Sequence, residues 1–249
     1  MANKLFLWMS IGMWKETAFW KWYRRSIFKR IPEYGLISAA ACFLLNCSVY
    51  WGTQLLMGSA HHYDLTTALD RQIPFLKEWS VIYLLSFVFW AVNFILVSFE
   101  EKEKWFRFVT SDMTAKLICA AVFILLPTTN VRPQVPGADL FSWLTRFIFQ
   151  SDRPTNLFPS IHCLVSWLCF IGIRRSKKIP LWYKGFSCLF ALLICASTQL
   201  IKQHYLADVA GGILLAELCY ALANHTRLYL GVQTFFERIG RKIFGGEPL

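Results

Sequence analysis

Apolar residues along this chain gather into long runs and do not alternate as they would on half-buried strands. Six runs stand out: residues 36–57, 80–99, 113–127, 161–173, 180–200 and 205–223. A helix that crosses a bilayer needs about 20 mainly apolar residues, with a range of about 17–25. The third and fourth runs are short in their purely apolar part. Each must borrow flanking polar residues or lie shielded by protein. The pattern predicts an all-α polytopic membrane protein built as a six-transmembrane-helix bundle.

Residues 1–30 follow a different pattern. The stretch KLFLWMSIGMWKETAFWKWYRRSIFKR mixes Trp and Phe with Lys and Arg. It lacks a small-residue cleavage site after a clean apolar core, so a cleaved signal peptide is not expected. An amphipathic helix lying on the membrane surface is the expectation. The division that follows is a basic membrane-surface segment at 1–32, a six-helix transmembrane domain at 33–226 and a basic cytoplasmic tail at 227–249. There is no internal repeat and no low-complexity linker.

Composition sharpens this reading. The 249 residues are 56% hydrophobic and 16% charged, against roughly a quarter charged in soluble domains. The net charge of +11 admits either nucleic acid or an anionic surface as partner. Here the cations flank apolar runs, which suits lipid headgroups. Membrane lipids are therefore the expected partners, and nucleic acid is not. All eight cysteines lack CxxC spacing and nearly all fall inside apolar runs. They read as small buried hydrophobes.

Charge also orients the chain. All but six of the 26 Lys and Arg lie at the N-terminus, around 100–116, around 174–184 or after 223. The positive-inside rule then puts both termini in the cytoplasm, with the cell membrane as the expected location. The loops 58–79, 128–160 and 201–204 face outward. The six exceptions are Arg71, Lys77, Arg132, Arg146, Arg153 and Lys202, and the last four belong to two polar stretches, 128–162 and 197–208.

Those stretches hold the candidate chemistry. The first contains Ser160 and His162, and the second contains His204 and Asp208. By the orientation above, His162 opens the fourth span and His204 the sixth, both at the outer surface. His204 and Asp208 are four apart and share a face of a helix. A carboxylate there fixes the imidazole tautomer and frees the other nitrogen as a nucleophile. His162 is placed to act as general acid toward a leaving oxygen. Arg153, with its planar fork, and its neighbouring cations would hold a phosphate. Backbone N–H groups after Pro159 add anion affinity, and Ser160 offers a further donor. The set reads as phosphoryl transfer through a phosphohistidine, with no metal or cofactor demanded. Two alternatives share these residues: ordinary interfacial histidines, and a zinc site on His162, His204 and Asp208.

Three ordered segments, RFIFQSDRP (146–154), PSIH (159–162) and STQLIKQHYLAD (197–208), resemble the motifs KxxxxxxRP, PSGH and SRxxxxxHxxxD of the type 2 phosphatidic acid phosphatase superfamily. The resemblance covers mainly 128–212. It implies His204 as nucleophile, Asp208 as its orienting partner, His162 as the acid, and Arg153 and Ser160 on the phosphate. Arg146 stands where the family has Lys, Ile161 replaces Gly, and Thr198 replaces a phosphate-binding Arg for which Lys202 compensates. A second Arg-Pro pair, Arg132-Pro133, lies upstream. These departures resemble the branch of inositol phosphorylceramide and sphingomyelin synthases. The resemblance implies a lipid phosphatase, with headgroup transfer between lipids as the alternative. A non-enzymatic scaffold or transporter is the third reading. Gly211 and Gly212 suit close helix packing, though such glycines are also tolerated in lipid-facing helices. Glu217 and Lys116 suit helix-to-helix pairing.

Overall fold

The computed structural model describes residues 32–244. Its elements are α1 (Glu33–Met57), β1 (Tyr63–Asp64), α2 (Ala68–Gln72), a 3-10 turn (Lys77–Trp79), α3 (Ser80–Ser98), α4 (Lys102–Leu125), β2 (Thr128–Thr129), α5 (Leu140–Ser151), α6 (Ile161–Arg174), α7 (Leu181–Leu200), α8 (Leu206–His225) and α9 (Leu228–Phe244). Among the described residues the fold is helical apart from a two-residue parallel strand pairing, Tyr63 with Thr128 and Asp64 with Thr129.

Among the described residues five helices are long and apolar enough to cross a membrane: Tyr34–Met57, Lys77–Ser98, Lys102–Leu125, Leu181–Leu200 and Leu206–His225. Their outward faces carry large bare apolar side chains, with Leu55 at 85% and Leu125 at 82% exposure. Soluble monomers avoid apolar surface on this scale, whereas lipid solvates it without cost.

The sixth expected span is different. Helix α6 has 14 residues, about 21 Å at 1.5 Å per residue, short of the roughly 30 Å hydrocarbon core. Most of its residues are buried, including Cys163, Leu164, Leu168, Ile171 and Ile173. It packs chiefly on α8, α7 and α3. It is surrounded by helices that are themselves long and apolar enough to cross a membrane.

Three regions expected to be irregular form helices. Residues 102–112, read as loop, are the first half of α4. Trp105, Phe106, Phe108 and Val109 bury one side there, while Arg107 pairs with Glu103 one turn back. Within the expected loop 128–160, Asp139 caps α5 by accepting from the Ser142 N–H at 3.1 Å. The region read as a tail contains α9, an amphipathic helix whose Phe236 is buried against Phe106. In the first half of α4 and in α9 charges interrupt the apolar positions, and α5 has only 12 residues, so a search for long continuous apolar runs passes over all three. The expected N-terminal surface helix lies outside the described residues.

The three loops expected to face outward collect at one end of the bundle. Besides the β1–β2 pairing, Thr129 bridges Thr155, and the Leu76 N–H donates to the Leu200 carbonyl at 2.8 Å. The Tyr205 hydroxyl donates to Asp64 at 2.9 Å and accepts from the Leu65 N–H. At the opposite end, Lys178 donates to the Phe99 carbonyl and Arg107 to that of Ala223, both at 2.6 Å.

Charges within the bundle are paired, as burial requires. Glu217 of α8 receives both Nη atoms of Arg174 and the Trp167 indole N–H, all from α6. Lys116 does not pair across helices. It holds Asp112 of its own helix at 2.7 Å and reaches across only to the Cys42 carbonyl of α1. All eight cysteines are free, and six of them are buried.

Gly212 sets the spacing of α6 and α8. A Cβ there would lie 2.6 Å from the Ser160 carbonyl and 3.1 Å from the Leu164 nitrogen, both backbone atoms that cannot swing aside. In the same crossing the Ser160 N–H donates to the Asp208 carbonyl at 3.1 Å. The starts of the two helices are thereby fastened to each other, with candidate His162 in the first turn of α6 and candidate His204 in the turn just before α8.

Candidate active site

His162 stands in the first turn of α6, which Ser160 caps by accepting from the Cys163 N–H at 3.3 Å. His204 lies in the turn between α7 and α8, not on α8 itself, which begins at Leu206. Its backbone N–H donates to the Thr198 carbonyl at the end of α7. Asp208 occupies the first turn of α8, where its Oδ2 accepts from the Tyr205 N–H at 3.0 Å. The shared helix face expected for His204 and Asp208 is therefore absent. The carboxylate caps the helix start and meets a ring that folds back over it.

The rings of His162 and His204 have centroids 6.3 Å apart. Reacting atoms need approaches of about 3–3.5 Å, and this spacing is of the size at which two imidazoles can reach a common group. Nδ1 of His204 faces two acceptors, Asp208 Oδ2 and the Leu157 carbonyl, each at 3.1 Å. With acceptors on both sides Nδ1 must carry hydrogen, and the free lone pair belongs to Nε2. Leu157 is itself fixed: the Thr128 hydroxyl accepts from the Leu157 and Phe158 N–H groups at 2.9 and 3.0 Å. Asn156, in a left-handed conformation, ties the same loop to α1 through Thr53 at 2.9 Å.

Burial alone would depress the His204 pKa. The hydrogen bond and charge of Asp208 outweigh it, so the group is held above its ordinary value.

Two cavities meet at His204. One, of about 410 Å³, is walled by α1, α3 and α5 and is mostly aromatic and aliphatic, with Tyr50, Trp51, Phe87 and Trp90 among its lining; both histidines open onto it. The other, of about 290 Å³, is lined by Arg71, Arg132, Lys202, Asp70 and Asn130 and shares His204 but not His162. An imidazole with an apolar cleft on one side and cations on the other suits an amphiphilic anion.

The remaining expected residues are distributed unevenly. Arg132 is anchored through Asp152, Phe149 and Gln203, yet its Nε is buried without a partner among the described residues. Lys202 lines the cationic cavity, though its amine also donates to the Asp70 and Ile73 carbonyls. Burial lowers its pKa, and the Asp70 charge opposes that. Arg146 lines neither cavity; it holds the Val135 and Gly137 carbonyls at 3.1 and 2.9 Å. Arg153 is exposed and lines neither cavity. Ser160 is fully buried in its capping role. Thr198 turns its hydroxyl to the Cys195 carbonyl. Among the described residues no group of three His, Cys, Asp or Glu side chains is arranged to hold a metal ion, so the zinc alternative finds no matching geometry.

Sequence reasoning passed over Tyr83 and Asp152, and it counted Arg71 among the outward-facing cations without giving it a role. Asp152 lies inside the RFIFQSDRP segment, so its position was within reach of the sequence. Tyr83 is one aromatic among many in an apolar run.

No curated protein and no solved structure matches the chain. The sequence profile described as PAP2 superfamily matches residues 51–222, more than half of the chain, including His162, His204 and Asp208. This protein is a member of the PAP2 superfamily, with helices long and apolar enough to cross a membrane.

Proposed function

We propose that the protein is an integral membrane lipid phosphatase that works through a phosphohistidine on His204. The observation that carries this reading is the position of His204 at the junction of the two cavities. The lipid portion occupies the apolar cleft, and the phosphate turns toward Arg71, Arg132 and Lys202. The leaving oxygen then lies on the side of His162.

Nε2 of His204 attacks phosphorus, and the bond from phosphorus to the alkoxide oxygen breaks. His162 gives its Nε2 proton to that oxygen. Water next attacks phosphorus, the N–P bond breaks, and the water's proton returns to His162. Asp208 stabilises the positive charge that develops on His204 during attack. The cations neutralise the phosphoryl oxygens. The scheme uses no metal and no cofactor. The site faces outward in the cell membrane, with both termini cytoplasmic, as the Lys and Arg distribution supports.

The test is phosphate release by purified protein from a panel of lipid phosphates, including phosphatidate and polyprenyl phosphates, with and without a chelator. Release that persists in the chelator is expected. Label that leaves a phospholipid only when an acceptor such as diacylglycerol or ceramide is present would reassign the same site to headgroup transfer.

A further inference from the structure

The apolar cavity has a carboxylate in its wall that the scheme above leaves unused. Asp152, between α5 and α6, accepts from the Tyr83 hydroxyl at Oδ2, 2.8 Å away, and from the Tyr50 hydroxyl at Oδ1. Tyr83 also lies against His162: its hydroxyl oxygen is 3.3 Å from Nδ1, and the two rings stack with centroids 4.3 Å apart.

The direction of these bonds follows from counting protons. A tyrosine hydroxyl has one hydrogen, and an ionised carboxylate can only accept. Tyr83 spends its hydrogen on Asp152, so toward His162 it presents only lone pairs. His162 must therefore donate from Nδ1. Its other nitrogen, Nε2, is buried, opens on the cavity and has no partner among the described residues. Tyr50 fixes the second oxygen of Asp152, and Arg132 binds the backbone carbonyl of the same residue.

We infer that Asp152 and Tyr83 form a relay that orients His162, committing Nδ1–H to Tyr83 and aiming an Nε2 proton at the leaving oxygen. The inference rests on the reading of His204 as nucleophile and extends it to the acid side. With Nδ1 donating to Tyr83, Nε2 carries a proton only in the imidazolium form, which the negative charge of the bound phosphate stabilises against burial. In the chemical step the P–O bond to the leaving group breaks and the imidazolium's Nε2 proton passes to the departing oxygen. His162 becomes neutral with Nδ1–H still bound to Tyr83. When water attacks the phosphohistidine, its proton restores Nε2–H. Tyr83 and Asp152 are positioning residues: neither touches the reacting atoms, and no net proton leaves the relay.

This role has a signature that a structural one lacks. A general acid matters in proportion to the basicity of the leaving group, because a stable phenolate departs without a proton. The variant Tyr83→Phe keeps the ring that stacks on His162 and removes only the hydroxyl. Its turnover is to be compared with wild type on 4-nitrophenyl phosphate, phenyl phosphate and dioctanoyl phosphatidate. The expected result is a loss of about tenfold or more on phosphatidate, a fraction of the roughly 10²–10⁴ that an acid contributes. The loss should be smaller on phenyl phosphate and under about threefold on 4-nitrophenyl phosphate, where little acid catalysis remains to lose. Asp152→Asn is read in the same assay with the same expected ordering, and it decides the matter if Tyr83→Phe does not fold. An equal loss on all three substrates, or no loss on any, overturns the relay. Wild-type failure on every substrate, or turnover by His204→Ala, strikes instead at the reading of His204 and is distinguishable for that reason.

Discussion

His204→Ala abolishes phosphate release, with turnover down by at least about 10⁴-fold, on the scale set by removal of a nucleophile that acts as one unit with its partners. The protein still inserts and folds, as seen by unchanged gel-filtration behaviour in detergent and an unchanged thermal midpoint. The site's geometry gives both halves of that result. His204 sits in a turn, not in a helix core, and its side chain makes two hydrogen bonds through Nδ1, to Asp208 and the Leu157 carbonyl. The backbone around it is held independently: the Gln203 and His204 N–H groups donate to the Thr198 carbonyl, and the Gln199 amide donates to the Tyr205 carbonyl at 2.8 Å. Truncating the ring removes the attacking nitrogen and leaves the turn.

Asp208→Asn lowers turnover by about 10²–10⁴-fold, as expected when the acceptor that fixes a catalytic imidazole is replaced by an amide. The substitution also moves the acid limb of the pH profile to lower pH. The neutral ring is the nucleophile, so activity appears only as His204 loses its extra proton. Burial pushes its pKa down, while the Asp208 hydrogen bond and charge push it up and prevail, so the wild-type acid limb lies above the ordinary histidine value. In the Asn variant the burial remains and the carboxylate's attraction is gone. The limb therefore shifts to lower pH even as the plateau falls. The profile of kcat/KM is the measurement, since it reports the free enzyme. An Asn oxygen can still accept from the Tyr205 N–H, so the start of α8 persists. A limb that stays in place or moves to higher pH would contradict the assigned role of Asp208.

Much of the fold was legible because long apolar runs have few uses other than crossing lipid. The runs at 36–57, 80–99, 180–200 and 205–223 correspond to α1, α3, α7 and α8 to within a few residues at each end. The run at 113–127 located α4 but missed its first half, where Trp105, Phe106 and Phe108 alternate with charges. Helix α6 was found but not its situation: nothing in IHCLVSWLCFIGIR states that it would be wrapped by other helices.

Site residues divide along a similar line. His162, His204 and Asp208 stood out because ionisable groups at the edge of apolar runs are costly. The arginines were harder, since a guanidinium reaches far enough to serve either a substrate or a nearby carbonyl. Arg146 turned to Val135 and Gly137, while Arg132 reached the cavity beside His204. Tyr83 was invisible because its significance lies in a stack on His162 across 79 positions of sequence.

The central claim is a covalent bond between phosphorus and one nitrogen of His204. It is tested most directly by mixing the protein with a lipid phosphate labelled at phosphorus, quenching in alkali within the first turnover, and mapping the label on digested peptides. Label on the peptide that carries His204, stable to alkali and released by acid, is the predicted result. Turnover without any trapped label, or label on a different residue, would contradict it.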